Sequence, residues 1–147
     1  MTTALTGVHS ILLVDYPSRD VPDALALAGL DVFVHGGPGP DDWFAYEVVA
    51  GEVVERRVGR RPEHAEVVWS YRPLDELPEI VGHAQAVGAH TVWIHSGLAA
   101  DGGREPTGCW LAEEDAAAAR AVVESSGLVY VDGPYIADAA RGLRASP

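Results

Sequence analysis

The sequence predicts an α/β protein: a doubly wound parallel sheet of five strands in the order 3-2-1-4-5, with a small hairpin between strands two and three. Three observations lead there. The apolar runs Ile11-Leu-Leu-Val14, Val32-Phe-Val34, Val67-Val-Trp69, Val92-Trp-Ile94 and Leu128-Val-Tyr-Val131 are short and lack strict alternation, as strands buried on both faces do. Helical patterns separate several of them, and alternating strands and helices imply βαβ units. Right-handed crossovers then leave few topologies.

The helices follow in order. Residues 22–28 form a short Ala/Leu helix that stops at Gly29. Residues 75–87 carry Leu77, Ile80, Val81, Ala84 and Val87 at helical spacing, with Asp75 as N-cap, Pro78 tolerated in the first turn and Gly88 as the stop. Residues 113–126 are Ala-rich and end at Gly127, and their Glu113-Glu-Asp115 start suits the positive end of a helix dipole. Residues 136–143 close the chain as a short helix. The connection over residues 35–65 differs. It holds Gly36-Gly37-Pro38-Gly39-Pro40 and then Val48-Val49-Ala50-Gly51-Glu52-Val53-Val54, which reads as a hairpin turning near Gly51. Residues 98–108 are rich in Gly and polar groups, a lid or a mobile loop.

The 147 residues suit a single domain, 1–147, and the 48% apolar and 22% charged composition is that of a soluble globular protein. A net charge of −12 repels phosphate polyanions, which argues against nucleic acid or an anionic membrane as partner. The single cysteine, Cys109, cannot make an internal disulfide and reads as inert packing beside Trp110. The N-terminus lacks the pattern of a signal peptide, and no run approaches the ~18 apolar residues of a membrane span. The expected location is the cytoplasm. Heavy use of Ala, Gly and Val, and of Arg over Lys, fits a high-GC bacterial genome.

In an open parallel sheet, ligands bind outside the carboxyl ends of the strands. The residues there are Asp15, Tyr16, Pro17, Ser18 and Arg19; His35, Gly36 and Gly37; Ser70, Tyr71, Arg72 and Pro73; His95, Ser96 and Gly97; and Asp132, Gly133, Pro134 and Tyr135. A dinucleotide fingerprint would place Gly-x-Gly-x-x-Gly after the first run, and no glycine stands there. Asp15 and Asp20 flank that loop and repel an anion, while Ser18, Arg19 and backbone N–H groups offer it donors.

Three segments carry a resemblance. Val67-Val-Trp-Ser-Tyr-Arg-Pro-Leu-Asp-Glu-Leu-Pro-Glu-Ile-Val81, Val87-Gly-Ala-His-Thr-Val-Trp-Ile-His-Ser-Gly-Leu98 and Ala118-Ala-Arg-Ala-Val-Val-Glu-Ser-Ser-Gly-Leu-Val-Tyr-Val-Asp132 resemble the small stand-alone CoA-binding domain family, over roughly residues 8–140. That family is similar to the CoA-binding domain of the succinyl-CoA synthetase alpha subunit. The resemblance implies a Rossmann-like fold and CoA as ligand, with its diphosphate on the loop after strand one and its adenosine near the loops after strands two and three. By position, the implied contacts are Pro17, Ser18 and Arg19, His35, Tyr71, Arg72 and Pro73, and Ser96 with Gly97. The chain departs from the family pattern at four places. A Gly-Ala-Ser loop is here Asp15-Tyr16-Pro17, a Val-Asn-Pro is Val34-His35-Gly36, a Gln is His95, and a Cys after the last strand's Asp is missing.

Each site residue has a competing role. Arg72 is the best phosphate cation, or it pairs with Glu76 or Asp75 on the next helix. Tyr71 stacks on adenine, or packs at the core rim. His35 and His95, with Asp15 and Asp132, would make an acid–base or metal site, although no HxH, HExxH or CxxC spacing supports it. The alternative for His95 is a hydrogen bond to loop backbone. His83 and His90 are expected on a helix face and in a surface turn. Ser96 lacks the Gly-x-Ser-x-Gly elbow of a nucleophile. Trp43, Phe44 and Tyr46 are expected to cover the sheet edge or form a homodimer contact. The expected function is non-catalytic binding of CoA or acyl-CoA. The alternatives are a degenerate scaffold acting through protein partners without a nucleotide, and a small enzyme using His and Asp at the strand ends.

Overall fold

The computed structural model describes residues 5–36, 42–95, 112–133 and 135–145. Among these, β1 (Ser10–Val14), α1 (Asp20–Leu27), β2 (Asp31–His35), β3 (Trp43–Val49), β4 (Glu52–Arg57) and β5 (Val67–Ser70) come first. A 3-10 turn (Leu74–Glu76) leads into α2 (Leu77–Val87), followed by β6 (Thr91–Ile94), α3 (Glu113–Ser125), β7 (Val129–Val131) and α4 (Ile136–Ala145). Among the described residues no helix is long and apolar enough to cross a membrane.

All seven strands join one sheet in the order β4-β3-β2-β1-β5-β6-β7. The five expected parallel strands are present, but their order is not 3-2-1-4-5. Strand two lies beside strand one, and strand three (β5) takes the far edge of β1. The hairpin accounts for this. Phe33, Val34 and His35 pair antiparallel with Ala45, Phe44 and Trp43, so β3 occupies the outer edge of β2. The next parallel strand must then pair with the free edge of β1, which makes the sheet mixed rather than parallel with a separate hairpin. Trp43, Phe44 and Tyr46 are correspondingly not edge covers. Their strand is interior to the sheet, paired on both sides, and Tyr46 is buried.

The direction reversal at β1 decides which helix goes where. The β1-α1-β2 connection runs one way along the sheet, and the connections through α2 and α3 run the other, so right-handed crossovers place them on opposite faces. Ile11, Leu13, Val32, Val34, Val67, Trp69 and Trp93 face α1 and α4. Leu12, Val14, Val68, Val92, Ile94 and Tyr130 face α2 and α3. Trp69 and Trp93 are direct neighbours on β5 and β6 and fully buried. At about 25 cal/mol per Å² over some ~200 Å² each, they contribute roughly 5 kcal/mol apiece as an upper estimate.

β1, β5 and β6 are buried along their whole length, as their unbroken apolar runs require. β2 is not: Val32 and Val34 are buried, while Phe33 and His35 are only partly covered. The reason is lateral. α2 packs over β5 and β6 and leaves the adjoining face of β2 open. Leu77, Ile80, Val81, Ala84 and Val87 form the buried stripe of α2, and Gly88 ends it at φ 71°. Asp75 does not cap α2. It lies within the 3-10 turn, and Glu76 takes the N-cap position without a side-chain hydrogen bond.

The β3–β4 hairpin turns on Ala50 and Gly51 at φ 53° and 83°, both left-handed as a type I′ turn demands. Alanine is strained there, because a Cβ costs about 1 kcal/mol or more in that region. Ala50→Asn should therefore raise the urea unfolding midpoint by the equivalent of ~0.5–1 kcal/mol with an unchanged m value. A midpoint that falls would contradict this reading of the turn.

Candidate functional site

The carboxyl ends of β1, β2 and β5 open onto a crevice of about 660 Å³ on the α2 side of the sheet. Its wall begins at Val14 and Asp15. Asp15 takes φ 67°, a left-handed backbone that a glycine would adopt without strain. Its backbone N–H bonds the His35 carbonyl at 2.9 Å, and its carboxylate receives the Tyr16 N–H at 2.8 Å, so the turn is held despite the side chain. His35 stacks on its cross-strand neighbour Trp43, with ring centroids 4.0 Å apart. His83 of α2 meets both rings, at 5.5 Å from His35 and 5.7 Å from Trp43. The Arg61 guanidinium lies 5.7 Å from the Trp43 ring centroid. Glu76, Glu79 and Arg72 complete the wall.

Arg72 is tied down. It donates to both carboxylate oxygens of Glu76, at 3.1 and 2.7 Å, and to Asp15 at 3.0 Å. Its own pKa is raised, first by the hydrogen bond to Glu76 and then by that to Asp15. Glu76 is held below the usual carboxylate range, chiefly by the Arg72 hydrogen bond. Its contribution to stability is therefore present above the unfolded value of 4.5 and lost as pH falls through the lowered one. Of the two acids expected to pair with Arg72, Glu76 does so, and Asp15, just after β1, is a second partner.

The other expected residues fall elsewhere. Tyr71, Arg72, Pro73 and His95 line an adjoining cavity of about 220 Å³, which shares Arg72 with the crevice. Pro17, Ser18 and Arg19 line neither cavity. They sit on the α1 side, where Arg19 pairs with Asp23 at 3.1 Å and lies 4.8 Å over the Tyr46 ring. Tyr46 donates a short hydrogen bond to Glu55 and meets the Tyr16 hydroxyl at 3.0 Å; burial above all pushes its pKa up. Asp20, at the start of α1, receives Tyr135 and Arg141 at 3.1 and 2.9 Å. That side of the strand ends is packed with the protein's own aromatic groups. Ser96, Gly97, Pro134 and Cys109, and the expected lid over residues 98–108, lie outside the described residues.

Nor do the two histidines and two aspartates converge. His35 faces Trp43 and His83, whereas His95 packs against Trp69, Tyr71 and Tyr135 on the other side of the sheet. Asp132 receives the Tyr130 hydroxyl at 3.0 Å. Among the described residues no group of three or more His, Cys, Asp and Glu side chains is placed to hold a metal.

Four crevice residues were not expected at the site: Arg61 and Glu79, Trp43, which was expected at the sheet edge or a dimer contact, and His83, which was expected on a helix face. A signal existed for two of them. Glu76, Glu79 and His83 are spaced i, i+3 and i+7, which puts all three on one helical face. Trp43 and Arg61 gave no local signal, since both reach the crevice through the hairpin and the segment after it.

The sequence profile of the CoA binding domain family matches residues 13–136. The chain belongs to this family. No curated protein matches it. Among solved structures, one described as the crystal structure of an uncharacterized protein aligns with 12% identity and a TM-score of 0.47, covering 92% of this chain and 97% of the other. The crevice has the dimensions of a small-molecule site. Its volume is within the ~300–1,000 Å³ of small-molecule sites, it presents a flat aromatic shelf, and His83 Nδ1 is a buried polar atom that meets no partner among the described residues. Three carboxylates and two guanidinium groups are among its lining.

His83 has a lowered pKa, first from burial, then from Arg61 and His35. Its NMR titration midpoint should lie below the ordinary 6.5, and Arg61→Gln should raise it, because a positive neighbour is removed. An unchanged midpoint in the variant would place Arg61 away from the crevice.

Proposed function

We propose that this protein binds CoA or an acyl-CoA as a non-catalytic module, with the nucleotide end in the crevice between β2, β1 and α2. The observation that supports it is the stacked His35–Trp43 pair beside His83 at the carboxyl ends of the strands, in a member of a CoA-binding family. In this reading the adenine lies against the Trp43 shelf, and Asp15 or Glu79 accepts a ribose hydroxyl. The pantetheine arm passes over Arg72 toward the cavity of Tyr71, Pro73 and His95. A ligand route through Pro17, Ser18 and Arg19 is less well supported, because Asp20 and Asp23 crowd the start of α1 and tyrosines fill that side.

A degenerate scaffold is the second reading, and the neutralised Arg72 favours it. Ligand-induced stabilisation separates the two. CoA or acetyl-CoA at ~100 times its dissociation constant should add about 2.7 kcal/mol to the unfolding free energy, and acetyl-CoA should be recovered unhydrolysed. No stabilisation by CoA, acetyl-CoA, NAD or ATP at millimolar concentration would leave the scaffold reading.

The ion triad gives a finer expectation. Glu76→Gln weakens the hold on Arg72 and should tighten CoA binding several-fold in calorimetric titration, on the order of one charge-assisted hydrogen bond. Arg72→Ala should weaken binding while leaving the fold intact, since partly exposed ion pairs contribute only ~0–1 kcal/mol. Equal affinity in both variants would remove Arg72 from the ligand's path.

A further inference from the structure

A second cavity of about 490 Å³ adjoins the crevice on the β2 side, lined by Phe33, Arg56, Arg57, Arg60, Arg61 and His64 among others. Arg61 lines both. The concentration of charge there is unusual for this chain. Its ten basic residues are all arginine, four of them fall within residues 56–61, and the protein as a whole carries −12. The fold converts that stretch into a groove wall. β4 ends at Arg57, the connection to β5 bends back past β2, and the partly covered Phe33 forms the floor.

The remaining arginines are largely spoken for. Arg56 pairs with Glu47 at 2.6 Å and Arg57 pairs with Asp42. Arg19 pairs with Asp23, Arg72 with Asp15 and Glu76, Arg120 with Glu124, and Arg141 with Asp20 and Asp138. Among the described residues, Arg60 and Arg61 have no carboxylate partner, and Glu63 is the single acid in the groove lining. Two guanidinium groups, side by side in sequence and paired with no carboxylate among the described residues, repel each other until an anion arrives between them. A dianionic phosphate supplies both the charge and the acceptor geometry a guanidinium fork matches. The sequence between β2 and β3, Gly36-Gly37-Pro38-Gly39-Pro40-Asp41-Asp42, holds no Lys or Arg to offer such a group.

We infer that the groove of Arg60 and Arg61 is a phosphomonoester subsite, taking the ribose 3′-phosphate of CoA when the adenine lies against Trp43. This rests on the crevice being the nucleotide site. The position of Arg61 gives the direction. It approaches the Trp43 ring on one side and the groove on the other, so a phosphate carried directly on the ribose reaches it. The diphosphate leads the opposite way, toward the ends of β1 and β5. The acid-rich crevice and the basic groove thus divide the ligand by charge, with base and ribose in the first and phosphomonoester in the second.

The test is calorimetric titration with CoA and with CoA lacking the 3′-phosphate, on the wild type, on the Arg60→Gln/Arg61→Gln double variant and on Arg120→Gln. The last removes one positive charge from α3, away from the groove. The wild type should bind CoA about tenfold or more tightly than the dephospho form, the loss expected for charge-assisted hydrogen bonds to one phosphate. The double variant should bind both forms alike, and Arg120→Gln should keep the wild-type ratio. The subsite is overturned if the wild type binds the two forms equally, if the double variant still discriminates, or if Arg120→Gln erases the ratio as fully. Binding of neither form by the wild type would overturn the CoA reading itself, and the subsite with it.

Discussion

The antiparallel pairing of β3 with β2 is the interaction on which the rest of the architecture depends. It closes the outer edge of β2 with Trp43–Tyr46, so that β5 must add to the other side of β1. The reversal of direction at β1 follows, and right-handed crossovers then put α1 with α4 on one face and α2 with α3 on the other. The same pairing carries Trp43 to the end of β2, directly beside His35. One strand-edge choice therefore sets both the topology and the aromatic shelf of the crevice.

The two sides of the strand ends have become different environments. On the α1 side, Tyr16, Tyr46, Tyr71, Tyr135 and His95 pack against the core or each other, and the acids at the start of α1 are held by Arg19, Arg141 and Tyr135. On the α2 side, the helix stops short of β2 and leaves a hollow with partly covered rings. Asp15 stands between them. It replaces a residue free to turn left-handed with one that does so under strain, and it spends its carboxylate on Tyr16 and Arg72. A phosphate is ill served by that turn. In this account the ribose phosphate of the ligand is drawn instead toward the arginines that follow β4.

Much of the fold was legible because burial leaves simple marks. Runs such as Ile11-Leu-Leu-Val14 and Val92-Trp-Ile94 are apolar throughout because helices cover both faces, and Gly88 and Gly127 end helices where a left-handed residue is needed. The order of strands was not legible. The Val32-Phe-Val34 run does not state which edge of its neighbour a later strand will take, and the hairpin's docking on β2 is a tertiary fact. The site divided in the same way. His35 and Arg72 stand at strand ends and could be named, whereas Trp43, Arg61 and His83 are assembled from three separate segments. Pro17, Ser18 and Arg19 were expected at the site from the family resemblance and from their place after the first strand, and the packing of tyrosines on their side of the sheet, far apart in sequence, is a tertiary fact.

The central claim is that ligand enters on the α2 side of the sheet. Amide and side-chain chemical-shift mapping by NMR during titration with CoA tests it most directly. The account predicts perturbations concentrated at His35, Trp43, Arg61 and His83, with Tyr16 and Arg19 unaffected. Perturbations centred on residues 16–20, with the Trp43 indole unmoved, would contradict it.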